Sequence, residues 1–430
     1  MLTLNENNPF EGFSKLNRKA RFERLLAMGA LTKEDIAYLQ DGGVDNANLA
    51  EQFIENVVGY FQLPLGVAAN LRIDGVDTAV PMAVEETSII AAISKTAKWI
   101  RNQGEINTHV TGHSIIGQIQ ISTVQNLEHL TNALNNNKES LIEAANEYPA
   151  KSLYKRGGGV TDMTLRTIAR PDGKTMGVIH VFANTCDAMG ANLMIQICEY
   201  LKQPIEVLTD ETVTMCILSN LSDSKITHAE VIIRDVPADI GEKIAEASLF
   251  ATLDPYRAAT HNKGILNGMD PVIIATGNDW RAVEASVHAY ACRDGQYRAV
   301  NQWTYDNGTL RGVLEAPIPV GIVGGVTRLH PTAQMSLRML GVTSADELSR
   351  IVAAVGLVQN LGALRALITL GFTQGHMRLH ITNLSLSAGA NADEIPLLRQ
   401  RLEKRLERAK QLTLTHAKEA LQEIRREAIS

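Results

Sequence analysis

The sequence predicts an α+β protein built from a large mixed α/β domain, an inserted ferredoxin-like unit of β-α-β-β-α-β order, and a small C-terminal helical domain. Two patterns lead to this prediction. Strand signals and helical periodicity alternate in ferredoxin-like order from residue 111 to 220, and the tail beyond residue 391 is highly charged with helical spacing. The predicted boundaries are 1–110 and 221–375 for the two parts of the large domain, 111–220 for the inserted unit, and 376–430 for the helical domain.

The bulk composition is that of a soluble protein. Of the 430 residues 45% are hydrophobic and 20% charged, and the formal net charge is -6, so there is no basic field for nucleic acid or a membrane surface. No apolar run reaches transmembrane length, and the N-terminus lacks a secretory hydrophobic region. The four cysteines form no CxxC pair and the eleven histidines show no metal-binding spacing. We therefore expect a cytoplasmic protein without a metal site.

The first hundred residues predict helices followed by a hairpin and another helix. Helical spacing covers Leu16–Ala30 and Asn46–Tyr60, and Thr32 is a candidate helix cap. Strands Val67–Ile73 and Val76–Met82 flank an Asp-Gly turn. The next helix starts after Glu85-Glu86-Thr87-Ser88, where we assign Glu85 to the helix start and regard Glu86, delivered by a strand to an apolar junction, as a candidate functional acid.

Two segments of the inserted unit are candidates for anion binding. Its predicted elements are strands at Ser114–Thr123, Val160–Ala169, Thr175–Asn184 and Val213–Asn220, and helices at Asn126–Tyr148 and Ala188–Leu201. Lys155-Arg156-Gly157-Gly158-Gly159 is a basic, glycine-rich loop, and Asp187–Asn192 opens the second helix with small residues, Asp187 being its expected cap. A helix N-terminus of this kind can hold a pyrophosphate, but tight helix–sheet packing requires small residues as well.

The stretch from Asp254 to Glu284 contains a candidate catalytic pair. We interpret its β-branched middle, Pro271–Thr276, as a buried strand, with Lys263 before it and Asp279 in a Gly-Asn-Asp turn after it. A lysine held by a carboxylate can stabilise a developing oxyanion. A structural ion pair is the alternative for these two residues.

In the remainder of the large domain, helical spacing predicts helices at Ile240–Asp254 and Ala282–Ala291. Paired strands are predicted at Tyr297–Tyr305 and Leu310–Glu315, and a strand and turn at Pro317–Thr327. A further helix is predicted after a capping box formed by Ser344 and Glu347. Within that last helix the adjacent amides of Gln359 and Asn360 need partners, from the backbone or from a substrate. His376 follows a glycine where the apolar run ends. It can protonate a leaving group, although a helix C-cap histidine fits the same pattern.

Taken together, these stretches resemble the soluble bacterial (class II) 3-hydroxy-3-methylglutaryl-coenzyme A reductases. The resemblance rests on motifs in one order along nearly the whole chain: ENVVG, EETS, DAMGAN, DPYRAATHNKG, GNDWRA, VGGVT, LVQNLGALRAL and QGHM. It implies reduction of (S)-3-hydroxy-3-methylglutaryl-CoA to (R)-mevalonate and CoA with two NAD(P)H, or the reverse, through mevaldyl-CoA and mevaldehyde.

The resemblance implies a role for each candidate catalytic residue. Lys263 would stabilise the oxyanion, Glu86 would supply a proton, Asp279 would lie between them and tune the pair, and His376 would protonate the departing CoA thiolate. The tail beyond His376 would then cover the site as a flap. Residues expected to hold the hydroxymethylglutaryl group are Arg257, Ser88, Glu55, Asn267, Gln359 and Asn360. Residues expected at the nucleotide are Asp187, Met189, Gly190, Asn192, Lys151, Tyr154 and Asn220.

The family is dimeric with sites at the subunit interface, so we expect a homodimer in which Glu86, Lys263 and Asp279 come from one chain and the nucleotide from the other. Assembly beyond a dimer and the direction of the reaction in the cell are left open. Thr87 stands where the family usually has proline, which loosens the helix start. The segment 148–156 has three bases and no acid before the glycine triplet, which favours NADPH over NADH because a 2′-phosphate is anionic.

Two other functions fit parts of the sequence. A reductase of another acyl-CoA would keep the same catalytic residues, but an acyl group without a carboxylate would leave Arg257 nothing to bind. A ligand-sensing module could use the ferredoxin-like unit, but it would not need Glu86, Lys263, Asp279 and His376 together.

Overall fold

The computed structural model describes residues 8–44, 47–369, 381, 383–409 and 412–427. Its helices and strands form two four-stranded sheets, a separate hairpin and a shell of helices, which confirms the predicted α+β class. Buried apolar side chains fall into a large cluster, a second cluster within the inserted unit, and smaller clusters near the two chain ends. The cluster nearest the N-terminus also includes Ala69, Met335 and Met339, so it joins the N-terminal segment to later parts of the chain.

The N-terminal segment packs against the hairpin. Helices α1 (Arg18–Ala27) and α2 (Lys33–Gln40) are followed by the short α3 (Ala47–Ala50). Thr32 caps α2 as predicted, since its hydroxyl accepts from the Asp35 amide while the Asp35 carboxylate accepts from the Thr32 amide. The helix predicted to continue to residue 60 is wrong, because turns and extended chain follow residue 50.

The hairpin and the first large sheet build one wall of the main core. Strands β1 (Leu65–Ile73) and β2 (Val76–Ala83) pair antiparallel as predicted, and α4 (Ile89–Gln103) packs on β1. The four-stranded antiparallel sheet has the order β3-β8-β10-β9. Its strands are β3 (Gly104–Gly112), β8 (Lys225–Ile233), β9 (Asn301–Asp306) and β10 (Thr309–Ala316).

The second sheet has the predicted β-α-β-β-α-β connectivity and the strand order β5-β6-β4-β7. Every neighbouring pair in it is antiparallel. Helices α5 and α7 pack together over this sheet, so the unit has its own core. Its elements are β4 (Ile115–Ile121), α5 (Leu127–Glu147), α6 (Lys151–Tyr154), β5 (Gly159–Ala169), β6 (Thr175–Asn184), α7 (Ala191–Thr209) and β7 (Met215–Ser219).

Three consecutive helices follow β8: α8 (Ala238–Leu253), α9 (Pro255–Ala275) and α10 (Trp280–Ala291). The predicted strand at Pro271–Thr276 is therefore wrong, because all but its last residue form the end of α9. Its β-branched side chains are buried against the main core, and tertiary packing overrides their strand preference. The turn that follows, with Gly277 at a φ of 68°, is the predicted Gly-Asn-Asp turn.

The longest helix, α13 (Ala345–Ile368), lies at the centre of the large domain and follows α11 (Gly325–Leu329) and α12 (Pro331–Leu340). Ser344 caps it as predicted. Among the described residues it is the one helix long and apolar enough to span a membrane, contrary to the expectation that no such run exists. However, 67% of its most apolar 18-residue stretch is buried inside the protein, as expected for a helix in the core.

Two parts of the chain remain, the segment before α11 and the C-terminal tail. Residues 317–324 are irregular chain, so the strand predicted at Pro317–Thr327 is wrong. The tail is helical as predicted, with α14 (Ile395–Ala409) packed on α15 (Leu414–Glu427). Cross-helix ion pairs such as Arg405–Glu419 and a small apolar cluster join them.

Candidate functional site

The junction between β2 and α4 presents the first candidate groups. Ser88 is the N-cap residue of α4 in the left-handed region, with φ 81°, and its side chain makes no capping bond. A non-glycine residue in this region is strained, and strain of this kind concentrates at functional sites. The Ser88 hydroxyl is thus not used as a helix cap, and Glu86, two residues earlier, is half-buried.

Lys263 on α9 faces this junction. Its Nζ lies 4.0 Å from Glu86 Oε2, and the two side chains are 65% and 38% exposed. The structure therefore brings two of the predicted catalytic groups together. An ion pair this exposed contributes little to stability, so stability alone does not explain the pairing.

The N-terminal half of α9 also carries Arg257, a cation for which the described residues supply no counter-ion. The Arg257 guanidinium is half-buried, and burial lowers its pKa, yet among the described residues no acid forms an ion pair with it. Asp254, the nearest acid along the chain, caps α9 by accepting from the Arg257 amide at 3.0 Å. A partly desolvated guanidinium without a partner favours an anionic ligand.

Asn267 lies one turn beyond Lys263, on the same face of α9. Four residues further on, Pro271 has no N–H to donate, so the Asn267 carbonyl has no donor within the helix. Asn267 thus presents both a side-chain amide and a main-chain acceptor on the face that carries Lys263.

Behind this face lies a carboxyl pair that the sequence reasoning missed. Burial, the charge of Glu284 on α10 and a hydrogen bond with Glu284 together raise the pKa of Asp270 on α9 to about 8, against the lowering effect of Lys263. Asp270 Oδ1 is buried without a hydrogen-bond partner among the described residues. An aspartate inside the apolar run Gly268–Ile274 is the signal that could have identified it.

Asp279 is the N-cap residue of α10. Its Oδ1 accepts from the Arg281 and Ala282 amides at 3.1 and 3.2 Å and lies 3.3 Å from the Arg281 guanidinium. Among the described residues it makes no ion pair with Lys263. The described contacts of Asp279 are thus with the start of α10 and with Arg281, whereas Lys263 is paired with Glu86.

The two adjacent amides of α13 have different surroundings. Asn360 is 2% exposed, and its Oδ1 accepts from Asn301 Nδ2 and Trp303 Nε1 while its Nδ2 lies 3.0 Å from His261 Nε2. Its hydrogen bonds are thus internal to the core, and burial lowers the pKa of His261 to about 4. Gln359 Oε1, by contrast, is buried without a partner in the described part of the chain.

The predicted nucleotide loop, Asp187–Gly190, precedes α7. Gly190 is the N-cap residue of α7, with φ 93°, and a side chain there would collide with Thr185 and Ile115. No side chain caps this helix, so its first N–H groups remain open to an anion. The prediction that Asp187 caps α7 is wrong, because its Oδ1 accepts from the Ala345 amide at the start of α13.

The basic segment lies beside this loop. Cys186 Sγ is 3.9 Å from the Arg156 carbonyl oxygen, which places the glycine-rich loop against the residue before Asp187. Lys151 and Tyr154 are exposed on α6, and Lys151 lines a shallow surface pocket together with Lys155 and Arg156. Met189 is half-buried in the loop, Asn192 is exposed in the first turn of α7, and Asn220 is exposed directly after β7.

A cavity of about 1350 Å³ adjoins Glu86 and Ser88. Its walls are mostly apolar and come from the N-terminal segment, β1 and α4. Basic side chains also line it: Lys15, Arg18, Arg21, Lys95 and Lys98. An elongated apolar ligand that ends in phosphates matches this arrangement.

The last two predicted residues are Glu55 and His376. Glu55 is exposed in a bend that follows Phe53, whose ring stacks on His330 at 5.8 Å. No contact connects Glu55 with Arg257, Ser88 or Lys263 in the described structure. His376 lies outside the described residues.

Comparison with known proteins supplies independent information. The family model described as hydroxymethylglutaryl-coenzyme A reductase matches residues 20–381. The 3-hydroxy-3-methylglutaryl-coenzyme A reductase of Archaeoglobus fulgidus is 40% identical over 420 residues, which cover 96% of this chain and 94% of that protein. A probable enzyme of the same name from Borreliella burgdorferi is 31% identical over 386 residues, or 86% of this chain and 87% of that protein.

Solved structures of enzymes with the same name are also similar to this chain. A structure of 3-hydroxy-3-methylglutaryl-coenzyme A reductase from Streptococcus pneumoniae, 38% identical, matches with a TM-score of 0.81 over 96% of this chain and 99% of its own. A class II enzyme from the same organism, bound to NADPH in open conformations, is 38% identical and matches with a TM-score of 0.80 over 84% of this chain and 100% of its own.

Proposed function

Since this chain belongs to the hydroxymethylglutaryl-coenzyme A reductase family and is an oxidoreductase, we propose that it reduces (S)-3-hydroxy-3-methylglutaryl-CoA to (R)-mevalonate and free CoA through mevaldyl-CoA and mevaldehyde. A bound nicotinamide coenzyme supplies hydride, twice in each turnover. The chain's own residues bind the acyl group, stabilise charge on the carbonyl oxygen and move protons. The same residues serve the reverse reaction.

The unpaired Arg257 guanidinium is the observation that carries this proposal. The terminal carboxylate of the hydroxymethylglutaryl group supplies the counter-ion that the described residues lack, and Ser88 and Asn267 are proposed to add hydrogen bonds to the acyl group. Gln359 Oε1, buried without a partner, is a further acceptor for a substrate hydroxyl. A reductase of another acyl-CoA, with an uncharged acyl group, would leave this cation unpaired. We assign no substrate contact to Asn360, since its hydrogen bonds are internal.

Lys263 and Glu86 are the proposed catalytic pair. The ammonium stabilises the oxyanion as hydride reaches the thioester carbonyl, and the glutamate, 4.0 Å away, supplies the proton that converts the oxyanion to a hydroxyl. His376 is proposed to protonate the CoA thiolate after the carbon–sulfur bond breaks. An aldehyde intermediate must be shielded from water, which is the proposed task of the tail from residue 376 to 430.

The cavity beside Glu86 fits the CoA part of the substrate. An apolar passage suits the pantetheine arm, and the basic side chains at its wall suit the phosphates. The thioester would then lie at the Glu86 end of the cavity. This arrangement places the reacting carbonyl next to the Lys263–Glu86 pair.

The coenzyme is proposed to bind at the uncapped N-terminus of α7, with its pyrophosphate on the open N–H groups next to Gly190. Lys151 and Arg156 place positive charge in the shallow pocket of the basic segment, so we propose that NADPH, with its 2′-phosphate, is preferred to NADH. Tyr154, Met189, Asn192 and Asn220 complete the proposed binding residues.

We further propose a cytoplasmic homodimer with the active site at the subunit interface. Asp279 lies apart from Lys263 within one chain, so a site containing both requires two chains. Large apolar side chains are exposed at the junction of α8 and α9, where Phe250, Leu253 and Tyr256 are 53%, 61% and 88% exposed. Glu55, near exposed Val58 and Phe61, would then reach the partner's site.

Residues 1–110 and 221–375 are proposed as the substrate-binding domain, 111–220 as the nucleotide-binding domain and 376–430 as the flap. The reaction is tested by following coenzyme oxidation with hydroxymethylglutaryl-CoA while titrating released thiol. We expect two coenzymes oxidised for each thiol, faster with NADPH than with NADH. No oxidation with either coenzyme, in a folded protein that binds nucleotide, would refute the proposal in favour of another acyl-CoA substrate.

A further inference from the structure

The residue before Asp279 has a fixed side chain that the proposed mechanism does not use. Asn278 Oδ1 accepts from the Gly321 amide at 2.7 Å, and its Nδ2 donates to Thr276 Oγ1 at 3.1 Å. Both ends of this half-buried amide are therefore occupied. Asn278 connects the turn that presents Asp279 with the irregular segment 317–324, which we call the bridging loop.

The bridging loop continues directly to the nucleotide loop. The Ile322 amide, next along the chain, donates to the Asp187 carbonyl at 2.9 Å. A Cβ on Gly321 would lie only 2.5 Å from the Met189 amide nitrogen, so the two backbones are in direct contact and a side chain would separate them. On its other side Asp187 is held by the Ala345 amide of α13 at 3.0 Å.

These contacts form one continuous path. It runs from Asp279 to its neighbour Asn278, by a hydrogen bond to Gly321, and from the neighbouring Ile322 by a second hydrogen bond to Asp187. Catalytic groups and coenzyme must be held to a fraction of an ångström, and residues behind the contacting shell supply that precision. The path is a candidate for such a supporting layer, because it joins a proposed catalytic carboxylate to the proposed coenzyme site.

We propose that Asn278 is a positioning residue that, through Gly321, fixes the nucleotide loop Asp187–Gly190 relative to Asp279 of the same chain. The inference rests on the proposed function for the roles of Asp279 and the loop. It also assigns Asp279 and the nucleotide to one chain, and Glu86 with Lys263 to the other, which differs from the division expected from the sequence.

Asn278→Ala removes the link, and Gly321→Ala separates the two loops while leaving Asn278 in place. The matched control is Asn126→Ala in the inserted unit, away from both loops. It removes a comparable hydrogen bond, in which Asn126 Oδ1 accepts from the His129 amide at 3.0 Å. We expect both test variants to raise the Kd and KM for NADPH about tenfold, and to lower kcat, with the KM for hydroxymethylglutaryl-CoA within about twofold of wild type. The control should leave all of these constants unchanged.

NADPH binding is measured by fluorescence titration, and the kinetic constants by coenzyme oxidation. An unchanged Kd for NADPH in either test variant, or an equal rise in both KM values, would overturn the positioning role. Because the binding titration does not require turnover, it tests the inference even if wild-type protein fails to reduce the substrate, which would refute the proposed function alone.

Discussion

Replacing Asp270 by asparagine should remove most of the loss of stability that this residue causes at high pH. The carboxyl group lies between α9 and α10 beside Glu284, and its pKa is raised from 3.8 to about 8, first by burial and then by the Glu284 charge. Near neutral pH the group is therefore protonated and shares a hydrogen bond with Glu284. Asparagine has the same shape and can donate a hydrogen bond from Nδ2 in place of the carboxyl proton.

The magnitude follows from the two pKa values. An acid whose pKa is raised on folding contributes its full stability below the unfolded pKa, and that stability is lost as pH rises through the folded pKa. A shift from 3.8 to about 8, at about 1.4 kcal/mol for each pKa unit, corresponds to about 6 kcal/mol in total. Between pH 5 and pH 9 the part lost is about 4 kcal/mol.

Urea unfolding of wild type and Asp270→Asn at pH 5, 7 and 9 tests this reasoning. We expect similar stability at pH 5 and an advantage for the variant of about 4 kcal/mol at pH 9. Asp41→Asn, at an exposed position on the N-terminal segment, controls for the loss of one negative charge. Parallel pH profiles for wild type and Asp270→Asn would refute the buried, protonated carboxyl pair.

Three further substitutions test the proposed site. Lys263→Ala should lower kcat by at least about a thousandfold with unchanged circular dichroism, since the oxyanion loses its cation, and wild-type turnover would contradict that role. Arg257→Gln should raise the KM for hydroxymethylglutaryl-CoA about a hundredfold with little change in the KM for NADPH, because the substrate carboxylate loses its partner. Equal effects on both would instead indicate a structural role. His376→Gln should stop reduction of the thioester while sparing reduction of free mevaldehyde, and equal loss of both reactions would exclude thiolate protonation.

Sequence rules predicted the elements that depend on interactions between residues close together in the chain. β6 covers Thr175–Asn184 as predicted from alternating polarity and a Pro-Asp-Gly turn, and α2 begins at the Thr32 capping box. They failed at Pro271–Thr276, where a β-branched run ends a helix. Burial on every side by the main core removes the polar face that distinguishes an amphipathic helix from a buried strand. The bridging loop was mistaken for a strand for a related reason, since Ile318 and Val320 are buried in the main core although the segment is irregular chain.

The residue types at the site were predictable, but their partners were not. Motifs identified Glu86, Lys263 and Arg257, and the structure places Glu86 and Lys263 side by side although they are far apart in sequence. The Asp270–Glu284 pair was missed because neither residue belongs to a motif, and only the packing of α9 on α10 brings them together.

The proposed division of the site between chains rests on contacts that no motif contains. Asp279 was expected to share a chain with Lys263 because the two flank one apolar run and are only 16 positions apart in the sequence. The run is a helix, so at about 1.5 Å for each residue its length separates them by more than about 15 Å along α9. Asp279 emerges instead beside Asn278, whose bonds lead to the nucleotide loop. Proximity in sequence thus predicted a shared site, whereas the rise of the helix separates the two residues along one chain, which supports the proposed two-chain site.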